Sequence, residues 1–545
     1  EKERRDRWTK WAKETWGTRK RAIYRWASGK SAVRSEKKMD AGTIGPDITD
    51  RVDKAVEAWA AIWNSDKSGA YVPSFGEVLP AITGERVREV LNRMPDGKSK
   101  GYDSWAPNEL RALTDAHLKA LAHILNECEE QGRWPRAMGK PIVALIPKNG
   151  AEDEGGMRPI ALLPYVYRLW MCVRKRDVEA WTRGLHGGKC KAAEVLAWEL
   201  AARGEAARLS GKFFAAAFLD CSKCYERVDQ DGAHKRAVAT GCNPVIANLA
   251  MNMYSKDRIA QVHGSHSKEV QVNRGMLAGC GFAVHFLKAI IIGILEASPV
   301  ETRDYVDDMV LHSCSGSKNQ LVVNLQAAIE AVSEGLDGIN QVLNKEKEQL
   351  YIQDAEVKKL WQKTEPDYKG VVGARVTDLG VEVRAPWVAG VVRAERIANA
   401  KPVIQRVGML PFPVPDKVTI VKTAGLARTH YGVAADPINK KQYMSIRSAI
   451  RGSLWKTKTS INPISCLLLS DKGELDPWLL TVKKTVANWK KQVVATLPEC
   501  VVEVWKDDIS ACKRPSGPVD ALERLFRGLG WRTEGHEKVI DENGD

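Results

Sequence analysis

The densest chemistry in the chain is the decapeptide Arg303-Asp304-Tyr305-Val306-Asp307-Asp308-Met309-Val310-Leu311-His312, where apolar residues flank two consecutive aspartates. Asp tolerates the positive φ that a two-residue hairpin turn asks for, so the pattern predicts two short strands with Asp307 and Asp308 at the tip. Adjacent carboxylates repel, and a cation held between them and another acid relieves that repulsion. Upstream, the apolar run Phe213-Phe214-Ala215-Ala216-Ala217-Phe218-Leu219 stops abruptly at Asp220-Cys221. A buried strand delivers a carboxylate to its mouth in this way. Three carboxylates at one place suit hard divalent ions such as Mg2+, and a pair of such ions clamps the attacking and leaving oxygens of a phosphoryl transfer. Taken singly, each piece has a plainer reading: a solvated acidic turn, and an Asp that caps the segment after it.

Other elements must bring these acids together. A helix is predicted from about Asp50 to Trp63, and another from about Pro107 to Glu130 behind the loop Gly97-Lys98-Ser99-Lys100-Gly101-Tyr102-Asp103. Two apolar strands, Lys140–Lys148 and Met157–Pro164, read as a hairpin with Lys148 and Arg158 flanking its loop. Such cations suit the phosphates of a nucleoside triphosphate, Arg bidentately and Lys as a point charge. Helices are predicted over 165–181, 192–208, 230–240 and 244–254, and strands near 259–263 and 270–273. A glycine-rich segment, 274–283, leads into an apolar helix that ends near Leu295, and a further helix spans about 319–343. From 391 to 494 the chain reads as helical and basic, closing with a short amphipathic helix near 519–529 and an acidic tail.

At this level the chain resembles the reverse transcriptases. Residues 219–229 are similar to their motif A, and Tyr305-Val306-Asp307-Asp308 to their motif C, Tyr/Phe-x-Asp-Asp. The segment 97–103 resembles one found ahead of the fingers in the non-long-terminal-repeat (non-LTR, LINE-like) retrotransposon enzymes. The resemblance implies an α+β right-hand polymerase with fingers, an antiparallel-sheet palm and a helical thumb. The expected divisions are a basic Trp-containing extension and linker over 1–48, the N-terminal region and fingers over 49–208, the palm over 209–388, the thumb over 389–500 and a C-terminal extension over 501–545. It implies two Mg2+ ions, with Mn2+ as a substitute, held by Asp220, Asp307, Asp308 and the Cys221 carbonyl. Lys148 and Arg158 would contact the triphosphate, and the Tyr225 ring would exclude a 2′-hydroxyl. Gly279 matches motif B, but Ala278 stands where Gln is common, and Ala283-Val284 where Ser-Pro is. In Asn344-Lys345-Glu346-Lys347, similar to motif D, Lys347 aligns as a proton donor near the leaving pyrophosphate, with Lys345 as a rival. Tyr305 and the Leu379-Gly380 turn, similar to motif E, would meet primer or template. The implied partners are an RNA template, a DNA or RNA primer, their RNA–DNA duplex and deoxynucleoside triphosphates. Two alternatives stay open: a group II-intron-like or domesticated cellular reverse transcriptase, and an RNA-binding scaffold derived from one.

Composition is consistent with that reading. The 545 residues carry a formal charge of +15, and 44% are hydrophobic. A basic chain of this length implies two to four domains and a polyanionic partner. Eleven scattered cysteines suit a reducing compartment, and the Cys221-x-x-Cys224 spacing has no second pair to match it. Residues 1–38 hold fourteen Lys/Arg against five Asp/Glu, with Trp8, Trp11, Trp16 and Trp26 interleaved. That stretch is either a nucleic-acid contact or an amphipathic helix packing its Trp stripe on the body. No apolar run is long enough to span a membrane. Placement is expected to be intracellular, and nuclear by resemblance. The chain opens on Glu1, as a fragment or processed product would.

Overall fold

The computed structural model describes residues 1–29, 46–64, 71–147, 156–185, 192–262, 264–455, 465, 467, 473–495, 497–506 and 517–544. Lys148 and most of the linker segments expected near 29–47 and 508–517 lie outside the described residues.

In chain order the strands are β1 Ile142–Pro147, β2 Met157–Leu162, β3 Phe213–Leu219, β4 Arg258–Val262, β5 Ser265–Val270, β6 Glu301–Tyr305, β7 Asp308–Ser315, β8 Gln349–Ile352, β9 Val371–Gly373, β10 Arg375–Asp378, β11 Val381–Arg384, β12 Arg532–Glu534 and β13 Lys538–Ile540. A central sheet has the order β6-β7-β3-β8-β9, antiparallel except for the parallel β8–β9 edge. Strand β3 sits in its middle because its side chains are apolar on both faces. Ala215, Ala217 and Leu219 enter the largest core, which includes residues of the helices Ala283–Leu295 and Lys318–Gly338. Phe214 and Ala216 enter a second core with Leu200 and Ala207 of the helix Ala193–Leu209, Tyr351 of β8 and Val383 of β11. The period of two along one strand thus joins two layers of helix through one sheet. A second sheet, β2-β1-β4-β5, pairs the predicted hairpin (Ile146 opposite Arg158) with β4 in parallel.

The N-terminal helices, Lys2–Thr18 and Lys20–Ala27, pack on the helical C-terminal part. Trp8, Trp16 and Trp26 lie against a core containing Val403, Val407 and Phe412, with Trp16 and Phe412 ring centroids 5.3 Å apart. Arg406 Nε donates to the Ala27 carbonyl at 2.7 Å. Trp8, Trp16 and Trp26 are therefore packing, while Trp11 and the basic residues of these two helices face outward.

Several boundaries differ from the sequence pattern. The helix expected from Asp50 starts at Pro46. The one expected over 107–130 is two, Pro107–Arg111 and Asp115–Gln131, because the Thr114 side chain accepts from His117 N and caps a new helix. The helix expected to reach Leu343 stops at Gly338, where Gln341 N turns back to the Leu336 carbonyl. The strand expected near 270–273 is β5, because its turn falls at Gly264 and leaves the backbone of Asn273 and Arg274 to donate to the Trp63 carbonyl. The acidic tail contains the β12–β13 hairpin, which packs on a further core with Phe526 and Trp531.

Candidate active site

Strand pairing fixes the carboxylates. Leu219 of β3 stands opposite Met309 of β7, so Asp220 leaves the sheet beside Asp308. Tyr305 pairs with Asp308, which leaves Val306 and Asp307 as the two-residue loop. This corrects the expected turn by one position: Asp308 is the first residue of β7, and the tip is Val306-Asp307. The positive φ, 65°, falls on Val306 rather than on an aspartate. A β-branched residue there is strained.

The acids crowd one another. Burial pushes the Asp307 carboxyl up, Asp220 pushes it further, and Lys347 and Arg158 pull it back. Asp308 is pushed up to about 6, first by desolvation and then by Asp307, Asp220 and Asp378. Lys347 Nζ lies 3.0 Å from Asp220 Oδ2, so of the two lysines Lys347 is the one ion-paired to this acid. The early end of the helix at Gly338 allows this. Leu343 bridges Cys221, and Ser222 N and Asn344 N bond the carbonyls of Val342 and Asp220 at 2.8 Å. The Asp220 carbonyl is thereby engaged within the fold. The donor chemistry, carboxylates crowded under mutual repulsion, fits a hard divalent cation. Among the described residues, however, no three His, Cys, Asp or Glu side chains converge tightly enough to form a ready metal cage. Asp220 instead leans on the Lys347 ammonium. Cys221 and Cys224 are both buried, and their mutual hydrogen bond, followed by burial, pushes the Cys224 thiol well up.

Around the acids, Tyr225 is half-buried beside Asp307, whose charge adds to burial in pushing the phenol up. Its carbonyl accepts from Met276 N at 2.7 Å, which ties the motif A turn to the motif B loop. Gly279 has φ 108°, and a Cβ there would meet the Ala161 carbonyl oxygen at 3.1 Å, so glycine is required where the loop leans on β2. Ala161 N donates to the Ala278 carbonyl at 2.6 Å. Tyr305 is exposed on the hairpin's outer side. Leu379 and Gly380 form the two-residue turn of β10–β11, with φ of 46° and 77°. The Leu379 carbonyl accepts from the Tyr431 hydroxyl at 2.9 Å, and the Gly380 carbonyl accepts from Arg396.

Beside the site, two ion pairs with a buried carboxylate escaped the sequence reading. Glu226 accepts from Arg258 Nη1 at 2.9 Å and from the Trp63 indole; Arg258 Nη2 donates to the carbonyls of Arg274 and Gly275. Burial pushes the Glu226 carboxyl up, and Arg258 opposes it. Gly275, φ 89°, lies so close that a Cβ would stand 2.7 Å from the Glu226 carbonyl oxygen. In the other pair, Arg303 of β6 grips Asp378 of β10 bidentately at 2.6 and 2.9 Å. The partner of each, 32 or 75 residues away, was not visible in the sequence.

Comparison with known proteins agrees with this arrangement. Residues 146–372 match the family model described as reverse transcriptase (RNA-dependent DNA polymerase). This stretch, less than half of the chain, is thus similar to reverse transcriptase domains. Over 88 residues the chain is 33% identical to the RNA-directed DNA polymerase from the mobile element jockey of Drosophila melanogaster, covering 16% of this chain and 10% of that protein. The chain thus spans about a tenth of the length of that relative. Solved structures with similarity include telomerase from Candida albicans in complex with a fragment of telomeric RNA (12% identity, 72% of this chain, 67% of that one, TM-score 0.36). Another is apo telomerase from Candida tropicalis (13% identity, 50% and 59%, TM-score 0.32). Among the described residues, no helix is long and apolar enough to cross a membrane.

Proposed function

We propose that the chain is an RNA-directed DNA polymerase that extends a primer on an RNA template, in the service of retrotransposon replication. The observation that carries this reading is the register placing Asp220 beside the Asp307-Asp308 turn, with Lys347 ion-paired to Asp220, inside the matched domain. In this reading residues 209–388 act as the palm, 49–208 include the fingers and 389–500 are the thumb.

Asp220, Asp307, more weakly Asp308, and the Cys221 carbonyl would supply oxygen ligands to magnesium, which when bound lowers the pKa of a primer 3′-hydroxyl and offsets charge on the triphosphate. Arg158, on β2 and close enough to act on Asp307, binds phosphate oxygens of the incoming deoxynucleotide, a role shared by Lys148. Lys347 exchanges its carboxylate partner for the leaving pyrophosphate and donates a proton from Nζ. The Tyr225 ring, on a backbone tied to the motif B loop by the Met276–Tyr225 bond, would exclude a 2′-hydroxyl. Gly279 lets the motif B backbone approach the nucleotide, while Tyr305 and the Leu379-Gly380 turn support the primer. The basic charge is consistent with nucleic acid along the body and with a nuclear site of action.

Primer extension on an RNA template with deoxynucleotides and Mg2+ is the test. Asp220→Ala and Asp307→Ala should each lower the rate by roughly 1,000-fold or more while duplex affinity stays within a few-fold. Tyr225→Ala should raise ribonucleotide use relative to deoxynucleotide use. Extension by both Asp variants at the wild-type rate would refute the assignment. Tight RNA binding without extension by the wild type would favour the scaffold alternative.

A further inference from the structure

The N-terminal helices carry charge that the candidate active site does not use. Over residues 1–29 ten Lys/Arg stand against four Asp/Glu, and all ten are exposed on the helices Lys2–Thr18 and Lys20–Ala27 or on Arg19 between them. Among the described residues no ion pair engages any of the ten. Yet Arg4 and Arg7, and likewise Arg21 and Arg25, stand one helical turn apart, a like-charge spacing that costs helix stability. A second observation is independent of charge. Trp11 is 40% exposed and lies on the stripe of Arg4 and Arg7, at positions i, i+3 and i+7 of one helix. Its ring stacks on Trp8, with centroids 5.0 Å and planes 26° apart, and Trp8 in turn lies 4.8 Å from Trp26. Trp8 and Trp26 pack on the core that holds Val403 and Val407. The extension is tied down as well, Arg406 and Arg428 donating to the Ala27 carbonyl and the Ser28 hydroxyl at 2.7 and 2.9 Å. A chain of three rings thus runs from the core to solvent and ends in an outward ring fixed from behind.

We propose that this face binds a single strand of nucleic acid, with an unpaired base stacked on Trp11 and the adjoining phosphates on Arg4 and Arg7. Phosphates need the charge and a base needs the ring, and the two stand side by side here. Glu14, one turn beyond Trp11, directs the strand toward the arginine end. A duplex offers phosphates but keeps its bases stacked on one another, so it would leave Trp11 unused. An anionic membrane would use the charge, but Trp11 is the one large apolar side chain exposed on these helices, too little to anchor them. A stack selects no base and a phosphate contact no sugar, so recognition is of single-strandedness. This is a second nucleic-acid site on elements other than those that carry the carboxylates, and it does not depend on synthesis.

The test is photocrosslinking of the full chain to a uridine decamer carrying one 5-iodouridine, a base that links to an aromatic ring stacked on it. EDTA and one equivalent of blunt RNA–DNA duplex are present. The duplex fills a polymerase cleft if there is one and brings no unpaired base, so failure of the polymerase reading leaves this result unchanged. An adduct at Trp11 is expected. In fluorescence anisotropy under the same conditions, Trp11→Leu should weaken binding of the decamer roughly tenfold, the size of one lost base stack. A deoxythymidine decamer should bind within a few-fold of the uridine one. The double variant Arg4→Gln/Arg7→Gln should lower the slope of log affinity against log salt by about 1.4. All three positions are exposed, so both variants should fold as the wild type does. Adducts only at other residues, or wild-type affinity in Trp11→Leu, would overturn the proposal. So would an unchanged salt slope in the arginine variant, a strong preference for one sugar, or binding to phosphatidylserine vesicles in place of the decamer.

Discussion

The β6–β7 and β10–β11 hairpins share one plan, two residues between antiparallel strands, yet they are held in opposite ways. At Tyr305–Asp308 the positive φ falls on a β-branched valine, the carboxyls push one another's protons on, and the tip reaches toward the site. At Asp378–Val381 both central residues are left-handed, the turn carbonyls are taken by Tyr431 and Arg396, and Arg396 stacks on the Tyr431 ring 4.8 Å from its centroid. The second hairpin is satisfied and the first is not. Leu379 too carries a positive φ, so what separates the hairpins is that repulsion collects at the first while the turn carbonyls of the second are engaged. The physical link is the Arg303–Asp378 fork, which ties the strand of the crowded turn to the strand of the anchored one.

Cutting that link should have the largest effect on stability. Arg303→Ala leaves Asp378, 3% exposed, as an uncompensated buried charge, and should cost about 3–5 kcal/mol in urea unfolding. A loss below about 1 kcal/mol would mean that the two hairpins stand independently. Next, Val306→Gly should relieve the left-handed valine and raise stability by about 1 kcal/mol, read as a rise in melting temperature, while lowering extension activity. If the variant melts lower, the strain is not at Val306.

A smaller effect should appear in pH dependence. Asp308 is raised from the ordinary 3.8 to about 6, so in metal-free buffer the fold keeps this group's proton after the unfolded chain has released it. Its contribution is fully present below about pH 4 and is lost as pH rises through about 6. Melting temperatures of the wild type should therefore fall between pH 4 and 7 more steeply than those of Asp308→Asn, and added Mg2+ should reduce the wild-type fall at pH 7. Parallel curves would remove Asp308 from the crowded set.

Much of this was legible because the local signals agreed with the tertiary outcome. The apolar run 213–219 reads as a buried strand and is one, and Asp220 and Asp307 come together because two periodic strands pair over seven residues. The turn was misplaced by one residue for an instructive reason. Asp favours turns by local preference, but the register Tyr305 to Asp308 is set by cross-strand packing, which overrides that preference and leaves Val306 in the unfavourable conformation. Lys347 could not be told from Lys345 by spacing, since the choice depends on where the preceding helix ends, and that end is set by Gln341 folding back on Leu336. The Glu226–Arg258 pair was invisible because a charge on a strand reads as a solvated face until its partner is found.

The Trp63 indole that meets Glu226, and the Trp63 carbonyl that receives Asn273 and Arg274, belong to a helix some eighty residues ahead of the matched domain. Excising residues 146–372 as a self-sufficient unit would strip that cover from the interior carboxylate and also discard Asp378, six residues past the cut. The smallest piece worth expressing therefore begins no later than Pro46 and runs beyond the second hairpin, because the walls of the candidate site are anchored outside the boundaries that sequence similarity draws.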